Sequence, residues 1–355
     1  MFKRFWTHSP SPFSITPSDE EDDTPSDDED DSFVFTITIG TTDFIYPFDG
    51  GETVNTEVDW GDGSAVSLIT DNEQEEATHS YTAGTYQLSA TGTTPINFGA
   101  SLCENPEVVD AIDQWGNVEL YAGDDDGSTF IGAENMVIYA LDSPALPVDC
   151  AGMFVGCESM VDLTGQVWDT SAVTNMMSMF EDCILFNTTD LTTWDVSKVT
   201  TMSRMFRSTA IGAADDTTFN GNITGWNIGA VTDLSHMFRH NKGFNQNIST
   251  WDTSKVTTMN SMFQRATAFN QNLAAWVITA VTDLADMFDG VTLSTANYDA
   301  ILIGWGAQAV KNTVTFDAGS SKYTAGGAVA AARAHLVLAV ASGGHGWTIT
   351  DGGTV

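Results

Sequence analysis

Trp194-Asp195-Val196-Ser197-Lys198-Val199-Thr200-Thr201-Met202-Ser203-Arg204-Met205-Phe206 is one copy of a phrase that decides how the chain is read. The phrase returns from Trp168 to Phe180, from Trp226 to Phe238, from Trp251 to Phe263 and from Trp276 to Phe288. Its tryptophans stand 26, 32, 25 and 25 residues apart, and the longest interval holds an insertion around Ile211–Asp216 that reads as a loop. Phe-Asn follows as Phe186-Asn187, Phe219-Asn220, Phe244-Asn245 and Phe269-Asn270. A period of this length marks units that cannot bury an apolar face alone and do so by stacking. Val199, Met202, Met205 and Phe206 share one face of a helical turn, with Ser197, Ser171 and Ser254 where an N-cap would stand. Leu191–Val196 reads as a single short strand. The asparagines are expected to pair with backbone groups that tight turns leave unsatisfied.

Upstream of the repeats the pattern changes. Phe33–Ile39 alternates like a strand and stops at Gly40. Glu57-Val58-Asp59-Trp60 enters the turn Gly61-Asp62-Gly63-Ser64, and His79–Ala90 reads as two extended pieces around Gly84. These signals predict a small antiparallel β-sandwich. Downstream, Tyr298, Ile301, Leu302 and Trp305 lie at helical spacing after Ser294, Ala328–Leu338 is Ala-rich, and Trp347-Thr348-Ile349 reads as a closing strand. Such a segment can cover the open end of a stack.

The chain has 355 residues, 12 Lys plus Arg against 48 Asp plus Glu, and a net charge of −36. Its length suggests two or three domains, and 42% apolar residues suffice for a core. No basic residue stands between Arg4 and Lys198, which argues against nucleic acid and against an anionic membrane surface as partners. No apolar run is long enough for a transmembrane helix, and the first residues lack the apolar core of a secretory signal. Asp19–Asp31 is an acidic block that reads as a solvated spacer. Ahead of it Phe2, Phe5, Trp6 and Phe13 suggest a short docking peptide.

The sandwich signals, Trp60–Ser64 followed by His79, Tyr81, Gly84 and Tyr86, resemble the PKD-type, immunoglobulin-like module. The phrase WD[VT]SxVTxMxxMF with its FN continuation resembles the BspA-like family of leucine-rich-repeat surface proteins. Weaker copies at Ile112–Gly116, Phe130–Met136 and Met153–Cys157 resemble the degenerate first repeats of that family. The resemblance implies a mainly β chain with short helices: a PKD-like β-sandwich over 33–100, a leucine-rich-repeat-like solenoid over 101–290 and a C-terminal α/β cap over 291–355. Within the solenoid, repeats are degenerate to about 167 and regular over 168–288; residues 1–32 form the docking peptide and linker. Members of the family bind proteins or cells, and related chains occur among phage structural proteins; the resemblance carries no catalytic residues.

Metal and catalytic groupings are weak. Asp59 and Asp62, or Asp124 and Asp126, could offer oxygens to Ca²⁺, but neither stretch forms a full coordinating loop, and turn-stabilising and solvated roles explain them better. His236 and His240 have the spacing of a zinc pair without a third ligand, and sister repeats place Ser178, Arg204, Ser261 and Asp286 at the His236 position, which therefore reads as solvent-facing. Cys157 and Cys183 read as small buried residues on adjacent units; with Cys103 and Cys150 they do not make a disulfide scaffold. No nucleophile motif or phosphate-cradling loop occurs, so no enzyme and no cofactor are expected. The binding surface expected is the variable set Lys198, Arg204, Arg207, Arg239, His240, Lys242, Lys255 and Arg265. The function expected is attachment to a host-surface protein or glycan. The setting is a virion surface, as capsid decoration or fibre, with other virion proteins held through residues 1–32. An exported bacterial cell-surface adhesin is the alternative, and homo-oligomers are compatible with either.

Overall fold

A computed structural model describes residues 31–46, 55–70, 77–92, 106–116, 120, 129–163, 167–187, 191–209 and 217–355. Asp31–Val355 is one compact unit, and the fold is mainly β. Ten short strands are described: β1 (Phe33–Ile39), β2 (Asp43–Ile45), β3 (Thr56–Asp59), β4 (Ser67–Ile69), β5 (Thr78–Ser80), β6 (Gly84–Thr91), β7 (Val109–Gln114), β8 (Val137–Ile138), β9 (Thr315–Asp317) and β10 (Thr348–Thr350). Two α-helices follow the repeats, α1 (Thr295–Gly306) and α2 (Gly327–Val337).

The alternation read over residues 33–39 is the whole of β1, with Phe33, Phe35, Ile37 and Ile39 all buried. β1 pairs antiparallel with β6 in the register Phe33 to Ala90 through Ile39 to Gly84. β6 in turn pairs with β3, and β3 with β4. On its other edge β1 pairs with β7, and β7 runs parallel to β8, giving the order β4-β3-β6-β1-β7-β8. β2 and β5 form a separate antiparallel pair. Tyr81 donates its hydroxyl to the Trp60 carbonyl at 2.8 Å, tying the end of β5 to the turn after β3. β7 and β8 fall beyond residue 100, so the sheet begun by β1 continues into the stretch read as degenerate repeats.

Three expectations for the repeat unit are corrected. Among the described residues of 168–290 there is no α-helix, and Leu191–Val196 is not a strand. The reason lies in the backbone. Ser178, Arg204, His236, Ser261 and Asp286 all have φ between 53° and 61°, the left-handed region, which ends any right-handed helix. Each unit is instead a chain of tight turns whose alternate N–H groups point to the next unit. Met176, Ser178, Phe180 and Asp182 donate to the carbonyls of Thr201, Ser203, Met205 and Arg207 at 2.9–3.1 Å. The same four bonds recur from Met202, Arg204, Phe206 and Ser208 to the following unit. Isolated parallel bridges run Asp149–Asn175–Thr201–Asp233–Thr258–Asp283 in one register. Nor does Ser197 cap the phrase: its own N–H donates to Asp195 Oδ1 at 2.9 Å, so the Asp of Trp-Asp shapes the turn.

Side chains stack in the same register. The rings of Phe130, Phe154, Phe180, Phe206, Phe238, Phe263 and Phe288 follow one another at 5.5–5.8 Å, within 10° of parallel. Trp226, Trp251, Trp276 and Trp305 each donate their indole N–H to a carbonyl of the preceding unit, at Leu191, Ile223, Ile248 and Leu273. A buried aromatic ring removes about 150–250 Å² from water. At ~25 cal/mol per Å², each contributes on the order of 4–6 kcal/mol before entropy is charged. The asparagine expectation holds, on the exposed side: Asn220, Asn245 and Asn270 each donate their backbone N–H at 2.9 Å to the side-chain oxygen of the preceding Asn.

The stack ends on the C-terminal segment. β9 accepts the N–H groups of Leu284 and Phe288, standing where a further unit would stand, and β10 runs parallel to β9. α1, capped by Ser294, buries Tyr298, Ile301, Leu302 and Trp305 as its spacing predicts, and Trp305 continues the tryptophan column.

Candidate functional site

The left-handed residues form a column of their own. Gly152, Ser178, Arg204, His236, Ser261 and Asp286 occupy one position on successive units, and the first five donate their N–H groups to the carbonyls of Met177, Ser203, Ser235, Asn260 and Ala285 on the following unit. Gly156, Asp182, His240, Arg265 and Gly290 form a second left-handed column four residues further on, with Ser208 the exception. Gly stands at the start of the first column and at both ends of the second, as this backbone favours. In the middle, larger side chains hold the same conformation.

Between the two columns lie Glu181, Arg207, Arg239, Gln264 and Asp289. Tight turns bring them beside the first column: Arg207 N–H donates to the Arg204 carbonyl and Arg239 N–H to the His236 carbonyl, both at 3.0 Å. Arg204, Arg207, His236, Arg239 and Arg265 are thus gathered on three consecutive units, and carboxylates mark either side. Glu181 lies on the preceding unit, its Oε1 at 3.4 Å from Arg207 Nη1. Asp286 and Asp289 lie on the following unit, where Asp289 accepts from Gln264 Nε2 at 3.0 Å. Gly290 is close enough that a Cβ there would come within 3.1 Å of Arg265 Cγ.

The electrostatics follow from crowding. Burial, then Arg207 and Arg265, lower the Arg239 pKa below its ordinary value. Burial, then Arg207, Arg239 and Arg204, bring His236 down to about 4 from 6.5, so it is neutral at pH 7. His240 is lowered by burial and by Arg239, Arg265 and Arg207. Burial raises the Glu181 carboxyl, against a Ser178 hydrogen bond and Arg207 that pull it down. Nε of Arg204, Arg207 and Arg239 and Nδ1 of His236 are buried with no hydrogen-bond partner among the described residues.

The sequence-derived set therefore divides. Arg204, Arg207, Arg239 and Arg265 come together. His240 is only 5% exposed and lies under the surface rather than on it. His236, read as solvent-facing, is half-buried within the arginine group; its shared repeat position with Arg204 was the signal that could have found it. Lys198 is exposed towards Asp169 and Asp195, and Lys255 towards Asp252. Lys242 is half-buried and engaged in a contact of its own. Phe2, Phe5, Trp6, Phe13, Asp124 and Asp126 lie outside the described residues.

Asp59 and Asp62 shape a turn, accepting from Gly61 N–H and Ser64 N–H at 2.9 Å, and Asp62 also meets His79 Nε2 at 2.8 Å. Among the described residues no group of three His, Cys, Asp or Glu side chains is placed to hold a metal ion. Cys150, Cys157 and Cys183 are free, buried thiols; Cys157 and Cys183 donate to the carbonyls of Phe130 and Phe154, and burial raises all three pKa values. No helix among the described residues is long and apolar enough to cross a membrane.

Residues 148–211 and 213–305 are similar to a family described as "Mycoplasma protein of unknown function, DUF285". The match covers the tandem turns and runs on through α1, and so includes the whole arginine group. No curated protein and no solved structure matches the chain.

Proposed function

We propose that this chain is a non-catalytic recognition protein of a virion surface. In this reading a PKD-like β-sandwich leads into a BspA-like leucine-rich-repeat solenoid closed by an α/β cap. Antiparallel β1–β6 pairing beside the β2–β5 pair supports the first part. Parallel bridges from Asp149 to Asp283, and β9 at their end, support the second. The observation that carries the function is the left-handed column. Ser178, Arg204, His236, Ser261 and Asp286 vary in charge, size and hydrogen bonding over one repeated backbone conformation. A frame that holds its core constant while the partly exposed Ser178, Arg204, His236 and Asp286 differ presents an array of modest contacts, which suits a protein or glycan surface. The aromatic segment Phe2, Phe5, Trp6 and Phe13 supplies the docking peptide, and Asp19–Asp31 the spacer.

A bacterial cell-surface setting is the second reading, favoured by the mycoplasmal description of the similar family. Immunogold labelling with an antibody to residues 168–288 separates the two. Label on released particles, lost when residues 1–32 are deleted, is the expected result. Label on membranes of uninfected cells would contradict it and favour the adhesin.

A further inference from the structure

We infer that Arg204, Arg207, His236 and Arg239 form a binding site for the oxyanion groups of an acidic glycan, a uronate carboxylate or a sugar sulfate. The inference rests on the recognition reading above and names the ligand class of that same surface. Among the described residues, the buried Nε–H groups of Arg204, Arg207 and Arg239, on two adjacent units, have no hydrogen-bond partner. A buried donor without an acceptor costs about 1–3 kcal/mol, more when charged, and an entering oxyanion supplies the acceptor. Counter-charge inside the protein is short. Glu181 meets Arg207, but no carboxylate lies within 4.0 Å of Arg204, Arg239 or Arg265 among the described residues. Burial first, and then repulsion from Arg207 and Arg265, lower the Arg239 pKa, and an anion placed between the guanidiniums relieves the repulsive part. Neutral His236 leaves the site's charge to the arginines and keeps one ring nitrogen free to accept from a sugar hydroxyl.

The rest of the chain decides which anion. With a net charge of −36, the molecule repels any densely charged chain, nucleic acid and acidic peptide included. A uronate or sulfated glycan spaces its charges about one sugar ring apart, more widely than a nucleic-acid strand or a polyglutamate, so the repulsion it meets on reaching the local cationic group is smaller. Adjacent units repeat at 5.8 Å, measured between the Phe206 and Phe238 rings, so successive sugar rings can run along the column. Ser203 and Ser235, whose hydroxyls lie 2.9 Å apart, immediately precede Arg204 and His236 in the chain.

The test uses the full chain and calorimetric titration with four probes: a polygalacturonate hexasaccharide, a chondroitin sulfate hexasaccharide, maltohexaose and a polyglutamate peptide. Binding of at least one acidic hexasaccharide is expected, weakening with added salt, with no heat from maltohexaose. Polygalacturonate carries carboxylates alone and chondroitin sulfate both carboxylates and sulfates, so binding of the first shows that a uronate suffices, and binding of the second alone assigns the sulfate. Arg204→Gln/Arg239→Gln should weaken binding by at least about tenfold, the loss of two charge-assisted contacts. Arg204→Lys/Arg239→Lys keeps the charge but removes the buried Nε donors, and should still lose most of the affinity. Lys311→Gln/Lys322→Gln, exposed cations in the C-terminal segment, should bind as the parent does. Circular dichroism melts verify that each variant is folded; the two arginine pairs need not both fold for the comparison to be made. No binding of either acidic hexasaccharide, equal binding by a folded arginine variant, or preference for polyglutamate would each overturn the inference. Particle labelling reads the recognition proposal independently, because a chain absent from virions can still bind the hexasaccharide and a chain on virions can fail to.

Discussion

At the scale of the residue, the unusual feature is where positive φ falls. Asn, Asp, His and Gly are the residues that tolerate it best. Asp182, His236, His240, Asp286, Gly152, Gly156 and Gly290 fit that preference, whereas Arg204 and Arg265 do not. These positions were legible in sequence as variable sites, because the repeat alignment places unlike residues side by side. Their backbone state was not, since the apolar spacing of Val199, Met202, Met205 and Phe206 is equally that of a helical turn. What decided the matter is hydrogen bonding to a neighbouring unit, which no single phrase contains. His236 carries a pH prediction. Its folded pKa of about 4 lies below its ordinary 6.5, because burial and Arg207, Arg239 and Arg204 oppose its charge. The unfolded chain therefore binds a proton as the pH falls through about 6.5, and the folded chain does not until about 4. This contribution to stability is complete above that upper value and declines across the window. Melting temperatures of the parent and His236→Gln, measured from pH 7 to pH 4.5, should show the steeper fall in the parent. Parallel profiles would contradict the placement of this ring among the arginines.

At the scale of the element, the ends of the stack carry different chemistry from its middle. Inside, a unit is held by backbone bonds to two neighbours and by columns of Phe, Trp, Asn and Thr. Thr200, Thr232, Thr257 and Thr282 each donate both N–H and hydroxyl to the carbonyl of the preceding Thr. The last unit would leave its core open, and α1 closes it. Tyr298 and Trp305 are buried there, and Trp305 repeats the indole-to-carbonyl bond of Trp226, Trp251 and Trp276. The helix was legible because period and N-cap agree over Ser294–Trp305; the substitution of β9 for a further unit was not, since Thr315–Asp317 is too short to announce itself. Trp305→Ala removes a buried indole from the terminal layer and should destabilise the protein by about 3–5 kcal/mol. Chemical denaturation would read this as a fall in midpoint with little change in slope. A loss below about 1 kcal/mol would show that α1 does not seal the stack.

At the scale of the whole molecule, a strong net negative charge contrasts with one local cationic group. Seven of the twelve basic residues fall between Lys198 and Arg265, yet the structure gathers only four arginines of that stretch and leaves Lys198 and Lys255 facing carboxylates. Charge counting along the chain found the stretch; only the register of the units sorted it. The same register makes residues about 25 apart in sequence neighbours in space, and everything proposed for the surface depends on it. Disulfide formation between Thr232→Cys and Thr257→Cys tests it most directly. Thr257 N–H lies 2.8 Å from the Thr232 carbonyl on the adjacent unit, and both side chains are exposed. Paired cysteines need Cα atoms within about 7 Å. Mild oxidation should therefore close Cys pairs at 232 and 257 rapidly within one monomer, and leave a control pair at Thr200 and Thr282, three units apart, open. Equal closure of both pairs, or of neither, would contradict the stacked arrangement.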